Sequence, residues 1–355
     1  MKITFLSPAP NLSGGQKVIA IYADRLMARG HDVTVVARNF EAPTFIGTLR
    51  HLVRERNLPS APKETHFNRM GARLILPRHS GPLTARDVPD ADIVIATWWE
   101  TAFEAVHFPS SKGKKFYFIQ GHEVFPYLPT HLSGASYYLP LRKIAIASWL
   151  VDTMRDMYGD PHVALVPNAV DREQFFAPKR QRHAVPTVGM IYSTTPFKGV
   201  QPMLSAVEMA RQIHPQLRVI AFGTSRPTRG IPLPSYVKFH HCPSQDSIRD
   251  LYASCDVFLS ASRSEGFCLP ILEAMACRTP VVATRTGCAG DVIDNGRNGF
   301  VVDIEDIGSL SSRLIEILSM KTESWESMSN AAYATAMKYD WDYSTLMLEK
   351  ALVSQ

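Results

Sequence analysis

Short runs of β-branched residues recur along this chain, and stretches with helical spacing separate them. Lys2–Ser7, Asp32–Ala37 (DVTVVA), Asp92–Thr97 (DIVIAT), Lys115–Ile119, Lys143–Ala147 and His162–Val166 read as buried strands. Between the first two, Val18, Ile21, Tyr22, Leu26 and Met27 mark a helix over Gly14–Arg29. A second series follows the polar, basic stretch Ala177–His183. Its strands are Val185–Tyr192, Leu217–Phe222, Tyr236–His240, Asp256–Ser260, Pro280–Thr284 and Gly299–Val302. Its helices are Val200–Gln212, Asp246–Ala253, Leu269–Cys277 and Gly308–Met320. Strand–helix alternation demands parallel pairing with right-handed crossovers. The expected fold is therefore α/β, with two Rossmann-like doubly wound domains joined near residues 167–184 and facing a central cleft. In such sheets ligands sit beyond the carboxyl ends of the strands.

The 355 residues are enough for two such domains, and 45% hydrophobic with 20% charged residues is ordinary globular composition. No apolar run reaches the ~18–20 residues of a membrane-spanning helix. Nor does the N-terminus, which runs straight into strand-like sequence, read as a signal peptide. The five cysteines, Cys242, Cys255, Cys268, Cys277 and Cys288, form no C-x-x-C pair. A disulfide framework or zinc site is not expected, and a cytoplasmic location is.

The net charge of +5 lies wholly in residues 1–165, where 19 basic residues oppose 14 acidic ones. Its focus is residues 45–86: Arg50, Arg54, Arg56, Lys63, Arg69, Arg73, Arg78 and Arg86 against Glu55 and Glu64, with His51, His66 and His79 interleaved. A one-sided basic patch favours an acidic partner. An anionic membrane surface on the inner face of the membrane is the partner expected here; a solvated face or a basic acceptor-binding loop is the alternative. No nucleic-acid partner is expected.

The stretch Ser260-Ala-Ser-Arg-Ser-Glu-Gly-Phe-Cys-Leu-Pro-Ile-Leu-Glu-Ala-Met-Ala-Cys-Arg-Thr-Pro-Val-Val-Ala-Thr284 reads as strand end, polar loop, helix and strand. Gly266 lets the backbone pass close to a ligand. Pro270 suits the first helical turn, where its missing N–H would lack a partner anyway. The N–H groups of Phe267, Cys268 and Leu269 then face outward at the positive end of the helix dipole, an anion site suited to pyrophosphate. Glu265 and Glu273 cannot serve phosphate. They suit sugar hydroxyls, which are hydrogen-bond donors.

Glu265-x7-Glu273 within S-x-S-E-G-F-x-L-P-x-L-E-A-M-A resembles the signature of family-4 retaining glycosyltransferases of the GT-B fold. The resemblance runs over almost the whole chain. Gly14-Gly15 after the first strand resembles the family's glycine loop at the donor phosphate or sugar. His122, in Gln120-Gly-His-Glu123, resembles the family's histidine near the transferred sugar. Pro167-Asn-Ala-Val-Asp171 resembles its hinge segment, and Thr286-Gly287 through Asn295-Gly-Arg-Asn-Gly-Phe300 resembles another of its segments. Trp341 heads a last helix that in the family returns to the first domain. The domains implied are 1–170 with helix 341–355 on the acceptor side, and 171–340 on the nucleotide-sugar side.

The implied reaction moves a sugar from a nucleotide diphosphate sugar to a hydroxyl of a glycan or lipid-linked acceptor, in bacterial polysaccharide or lipid-linked glycan synthesis. Glu265, His122 and Lys198 are the implied catalytic residues. Gly14, Gly15, Lys198, Glu265, Gly266, Phe267, Cys268, Leu269 and Glu273 are the implied donor-binding ones, with Glu273 on the ribose. Within Gly189–Gly199 the chain keeps Lys198 but lacks the arginine the family pairs with it; Arg263 and Arg226 are the substitutes considered. Asp291 and Ala169 stand where the family has Glu and Gly. No cofactor and no metal are expected. Asp90-Ala-Asp92 mimics a manganese-binding D-x-D, but it precedes a strand and reads as the loop leading into it. A glycoside hydrolase with two carboxylates and a non-catalytic carbohydrate-binding protein are the rival readings. A nicotinamide-dependent oxidoreductase is a third, though Gly14-Gly15 is not G-x-G-x-x-G.

Overall fold

The computed structural model describes residues 1–40 and 64–354. Arg50, Arg54, Arg56 and Lys63 of the basic stretch, with His51 and Glu55, lie outside the described residues. The chain divides into two units: Met1–Val166 with Thr345–Gln355, and Pro167–Ser344. The divisions fall at 166/167 and 344/345, a few residues from the expected 170/171 and 340/341.

The first unit is built on a seven-stranded parallel sheet. Its strands are β1 (Lys2–Ser7), β2 (Asp32–Ala37), β3 (Arg73–Ile75), β4 (Ile93–Ala96), β5 (Lys114–Ile119), β6 (Arg142–Ala145) and β7 (Ala164–Leu165), in the order β3-β2-β1-β4-β5-β6-β7. Both faces are covered, so the central strands are continuous apolar runs: in β4 every residue is buried. Register is fixed by that burial, with Ile3 opposite Val33 and Ile93. The edge strand β3 is not among the strands expected from the sequence. It has three residues, and Arg73 is exposed.

The second unit has six parallel strands: β8 (Thr187–Ile191), β9 (Arg218–Gly223), β10 (Val237–His241), β11 (Val257–Ser260), β12 (Val281–Thr284) and β13 (Gly299–Val302), in the order β10-β9-β8-β11-β12-β13. Val188, Met190, Leu259 and Val282 pack against Val207, Leu314 and Trp325 in its core. The Trp325 indole, fully buried, donates to the Asp256 carbonyl at 2.8 Å.

Both sheets are Rossmann-like. Strand order reverses between β1 and β4 in one and between β8 and β11 in the other, and those are the places where such sheets open a crevice at their carboxyl edge. The C-terminal helix Trp341–Val353 runs into the first unit from Thr345 onward. There Glu349 takes the Arg29 Nε at 2.7 Å and the His31 ring at 2.6 Å, and Arg142 donates to the Ser354 carbonyl. Among the described residues no helix is long and apolar enough to cross a membrane. All five cysteines are free thiols.

Candidate active site

At the β8/β11 reversal the second unit gathers most of the residues singled out in its sequence. The chain leaves β8, makes a short 3-10 turn over Pro196–Lys198 and enters helix Val200–Ile213 through Gly199. Gly199 has φ +65°, and a Cβ on it would stand 1.8 Å from the Ala261 carbonyl oxygen. Only glycine permits that approach, and it sets Lys198 against the loop that leaves β11. Arg263 N donates to the Phe197 carbonyl at 2.7 Å across the same seam.

Lys198 Nζ lies 2.8 and 2.9 Å from the two carboxylate oxygens of Glu265. Ser262 Oγ donates to Glu265 Oε1 at 2.7 Å, and Thr284 Oγ1 holds the Ser262 carbonyl. Burial works against the Lys198 charge, but the Glu265 carboxylate outweighs it and raises the Lys198 pKa above its ordinary value. The lysine is therefore a fixed cation. Beneath the pair lies a cavity of about 30 Å³, lined by Ile191, Phe258, Ser260, Cys268 and others, with room for a water.

Helix Leu269–Ala276 begins beside this pair. Its N-cap, Cys268, has φ +67° and ψ +64°, a left-handed conformation that is strained for a residue with a Cβ. The strain is imposed by neighbours. The Phe267 carbonyl receives the Cys288 amide at 2.7 Å, and a Cβ on Gly287 would stand 2.4 Å from that same oxygen. The backbone at Phe267–Leu269 is thus pinned from the β12 side, and the first-turn amides have no intrahelical acceptor. Pro270 stands in that first turn. Burial pushes the Cys268 thiol above its ordinary range, so it stays neutral and is no nucleophile.

One turn into the helix, Glu273 Oε2 accepts the hydroxyl of the fully buried Tyr252 at 2.9 Å. Sequence reasoning alone does not find Tyr252, Ser262 or Gly287 as site residues. Ser262 lies inside the motif, and its spacing of three from Glu265 is a usable signal. Tyr252 leaves none, because it comes from another helix. Of the two arginines considered as phosphate ligands, Arg263 is committed elsewhere: it is ion-paired with Glu305 and donates to the Pro196 carbonyl at 2.8 Å.

Gly14, Gly15 and His122 belong to the first unit. Gly14 opens helix Gly14–Ala28 in open space, with nothing within 4 Å of where a Cβ would stand, while Gly15 faces the Gln120 amide. Gln120 Oε1 is buried without a hydrogen-bond partner among the described residues. The preceding loop is knitted by Gln16, which takes the Asn11 amide at 2.6 Å and donates to the Ala9 carbonyl at 2.8 Å. His122 Nε2 pairs with the Tyr158 hydroxyl at 2.7 Å, and burial lowers its pKa, which favours a neutral imidazole. Next to it, Glu123 is enclosed by Tyr117 and Tyr137 and accepts the Trp99 amide at 2.9 Å. Burial raises its pKa to about 8.

Asp90 and Asp92 stand at the amino end of β4, the opposite edge of the sheet. Asp90 pairs with Lys112 Nζ at 2.8 Å and Asp92 accepts the Lys2 amide at 2.7 Å. Among the described residues no group of His, Cys, Asp or Glu side chains is placed to hold a metal ion.

Residues 171–335, nearly the whole of the second unit, match the family model described as Glycosyl transferases group 1. The D-inositol 3-phosphate glycosyltransferase of Corynebacterium jeikeium is 29% identical over 177 residues, covering 46% of this chain and 42% of that protein. O-antigen chain mannosyltransferase B of Escherichia coli is 34% identical over 106 residues, 30% of this chain and 26% of its own. The chain thus matches less than half the length of these curated relatives. Two solved structures share the fold over nearly their whole length. Sucrose-phosphate synthase from Thermosynechococcus elongatus superposes with a TM-score of 0.74 at 16% identity, covering 99% of this chain and 98% of that one. Anabaena HepE, solved with UDP-glucose, gives 0.75 at 18% identity with 100% of both chains covered.

Proposed function

We propose that this protein is a retaining glycosyltransferase that moves a sugar from a nucleotide diphosphate sugar to an acceptor hydroxyl in glycan synthesis. The observation that carries the reading is the Lys198–Glu265 pair held against the start of helix Leu269–Ala276, on a unit whose sequence matches group 1 glycosyltransferases. HepE, of the same fold, holds UDP-glucose, a donor of the class assigned here.

The chemistry follows from charge. As the bond between the anomeric carbon and the pyrophosphate oxygen breaks, negative charge grows on the leaving group. Lys198 and the amides of Phe267, Cys268 and Leu269 meet that charge without reorganising, and preorganised stabilisation of this kind usually contributes most to the rate. Glu265 accepts from hydroxyls of the transferred sugar while keeping Lys198 in place. Glu273, held by Tyr252, accepts from the ribose. The acceptor oxygen bonds to the anomeric carbon on the face the leaving group departs, and its proton passes to a phosphate oxygen. No protein nucleophile is assigned, and His122 is given a hydrogen bond to the sugar. Lys198 already supplies the cation, so divalent metal is not required.

Thermal denaturation with UDP-, GDP-, ADP- and dTDP-sugars tests this, since a ligand that binds only the folded state raises its stability. One base series is expected to raise the melting temperature, and its sugar to be consumed at an undiminished rate in chelator. Absence of a shift with all four bases, or release of free sugar from simple glycosides instead, defeats the reading.

A further inference from the structure

On the first unit, a cavity of about 560 Å³ opens where β2 and β4 end. Leu83, Trp99, Phe103, Phe108 and Leu132 give it apolar walls, and the Trp99 and Phe103 rings meet edge to face at 6.3 Å. Leu132 is 43% exposed, so the apolar lining continues to the surface. A cavity of this size and lining, with a few polar groups converging on it, is the usual form of a small-molecule site.

Arg38, Glu100 and Glu104 also line it. Arg38 Nη1 lies 3.0 Å from Glu100 Oε1, and Arg38 Nε donates to Glu104 Oε1 at 2.9 Å. Among the described lining residues one guanidinium faces two carboxylates, an excess of one negative charge that opposes an anionic ligand; His107 also stands in the wall. Two buried polar atoms in these walls have no hydrogen-bond partner among the described residues: Glu104 Oε2, on a residue only 8% exposed, and Trp99 Nε1. One is an acceptor and the other a donor. Such atoms are costly to leave unpaired, and a water or a ligand group entering the cavity can satisfy them. Burial outweighs the nearby arginine and raises the Glu104 pKa, consistent with a carboxyl lacking solvation.

The alternatives separate by their hydrogen-bonding capacity. A phosphate or carboxylate accepts from Trp99 but meets Glu104 with like charge. An ammonium donates to Glu104 but offers Trp99 nothing. A hydroxyl does both. We propose that this cavity binds the apolar part of an uncharged alcohol, whose hydroxyl gives Glu104 Oε2 a donor and Trp99 Nε1 an acceptor. On the glycosyltransferase reading, on which this further role rests, that alcohol is the aglycone of the acceptor; the binding itself does not depend on it.

The test is calorimetry of the full chain with straight-chain alkanols from butanol to octanol. Affinity is expected to rise about fourfold per methylene, the value of one buried CH₂ group. Hexanoate and hexylammonium are expected to bind at least tenfold more weakly than hexanol. Trp99→Phe keeps the ring but loses the N–H, and should weaken hexanol several-fold with an unchanged melting temperature. Leu132→Asp, at an exposed position, should flatten the chain-length series. Equal affinity along the series, hexanoate binding as well as hexanol, or an unaffected Trp99→Phe would overturn the assignment. A steep series in a protein that consumes no nucleotide sugar keeps the pocket and removes the enzyme reading. Turnover of nucleotide sugar with a flat series does the reverse.

Discussion

Lys198 contacts both carboxylate oxygens of Glu265, at 2.8 and 2.9 Å, although the two residues are 67 positions apart and follow different strands. On the function proposed above, this contact makes phosphate recognition and sugar recognition mechanically one feature. The ammonium assigned to the pyrophosphate is positioned by the carboxylate assigned to the sugar. Lys198→Ala is expected to reduce transfer by a hundredfold or more, in line with the ~10²–10³ lost when one transition-state donor is removed. Lys198→Arg should retain a measurable fraction, because the charge stays. Glu265→Ala should lose nearly all turnover and also lower donor affinity, since it frees the lysine. Steady-state kinetics on folded variants check each, and equal rates for Lys198→Ala and Lys198→Arg would count against the phosphate role.

Glu273 is held by the Tyr252 hydroxyl at 2.9 Å from inside the core. Glu273→Gln should weaken donor binding while leaving the fold intact. Tyr252→Phe removes a hydrogen bond to a carboxylate, worth ~1.5–3 kcal/mol. It should show in the donor KM more than in kcat, if Glu273 binds the ribose and not the reacting centre. A fall in kcat alone would move Glu273 to the reacting sugar.

Glu123 supplies a pH dependence that can be read without a substrate. Burial raises its pKa to about 8, above the ordinary glutamate value near 4.3 in the unfolded chain. Between those values the folded state holds the proton more tightly, so stability falls as pH rises, and the loss levels off above pH 8. Glu123→Gln can still accept from Trp99 N and Tyr117. It should flatten the decline of melting temperature between about pH 5 and pH 8. An identical slope in both proteins would show that Glu123 is not the titrating group.

Gly199 and Gly14 make a contrast. At Gly199 a Cβ would collide with the Ala261 carbonyl and φ is +65°, whereas at Gly14 nothing stands within 4 Å. Gly199→Ala should cost well over 1 kcal/mol or prevent folding, since it adds left-handed strain to a backbone clash. Gly14→Ala should melt like the parent protein. If Gly14 approaches the donor, its alanine variant folds normally but transfers slowly.

Arg69, Arg73, Arg78 and Arg86 are all exposed. Each cationic side chain near an anionic bilayer contributes ~1 kcal/mol, falling off within a Debye length. Co-sedimentation with anionic vesicles at low salt, lost at high salt and absent with neutral vesicles, is expected if this stretch docks on a membrane. Salt-independent recovery in the supernatant with both vesicle types excludes it.

The strands are legible in the sequence because a strand buried on both faces must be an unbroken apolar run, as in Ile93–Ala96 and Val281–Thr284. β3 is not, because a three-residue edge strand carrying an exposed arginine has no such run. Helix Thr322–Ala336 is also hard to read. Its buried positions, Trp325, Met328, Ser329, Ala332 and Ala336, have helical spacing, but serine and alanine dilute the apolar signal. In the site, the acids, the lysine and the glycines can be picked out singly. Their pairing cannot. Nothing linear connects Lys198 to Glu265 or Tyr252 to Glu273, since those contacts exist only once β8, β11 and helix Gln245–Ala253 are assembled.

The grip of Gly287 and Cys288 on the Phe267 carbonyl bears on how such a protein diversifies. That clamp is made by main chain on main chain, so it is indifferent to most side chains around it but intolerant of any at Gly287. On the function proposed above, new donor preferences must then be acquired at positions whose side chains do not carry the frame. Pro196 and Phe197, which reach the seam through their main-chain carbonyls, offer such positions. A library varied there and silent at Gly199, Phe267 and Gly287 would explore specificity while keeping most of its members folded.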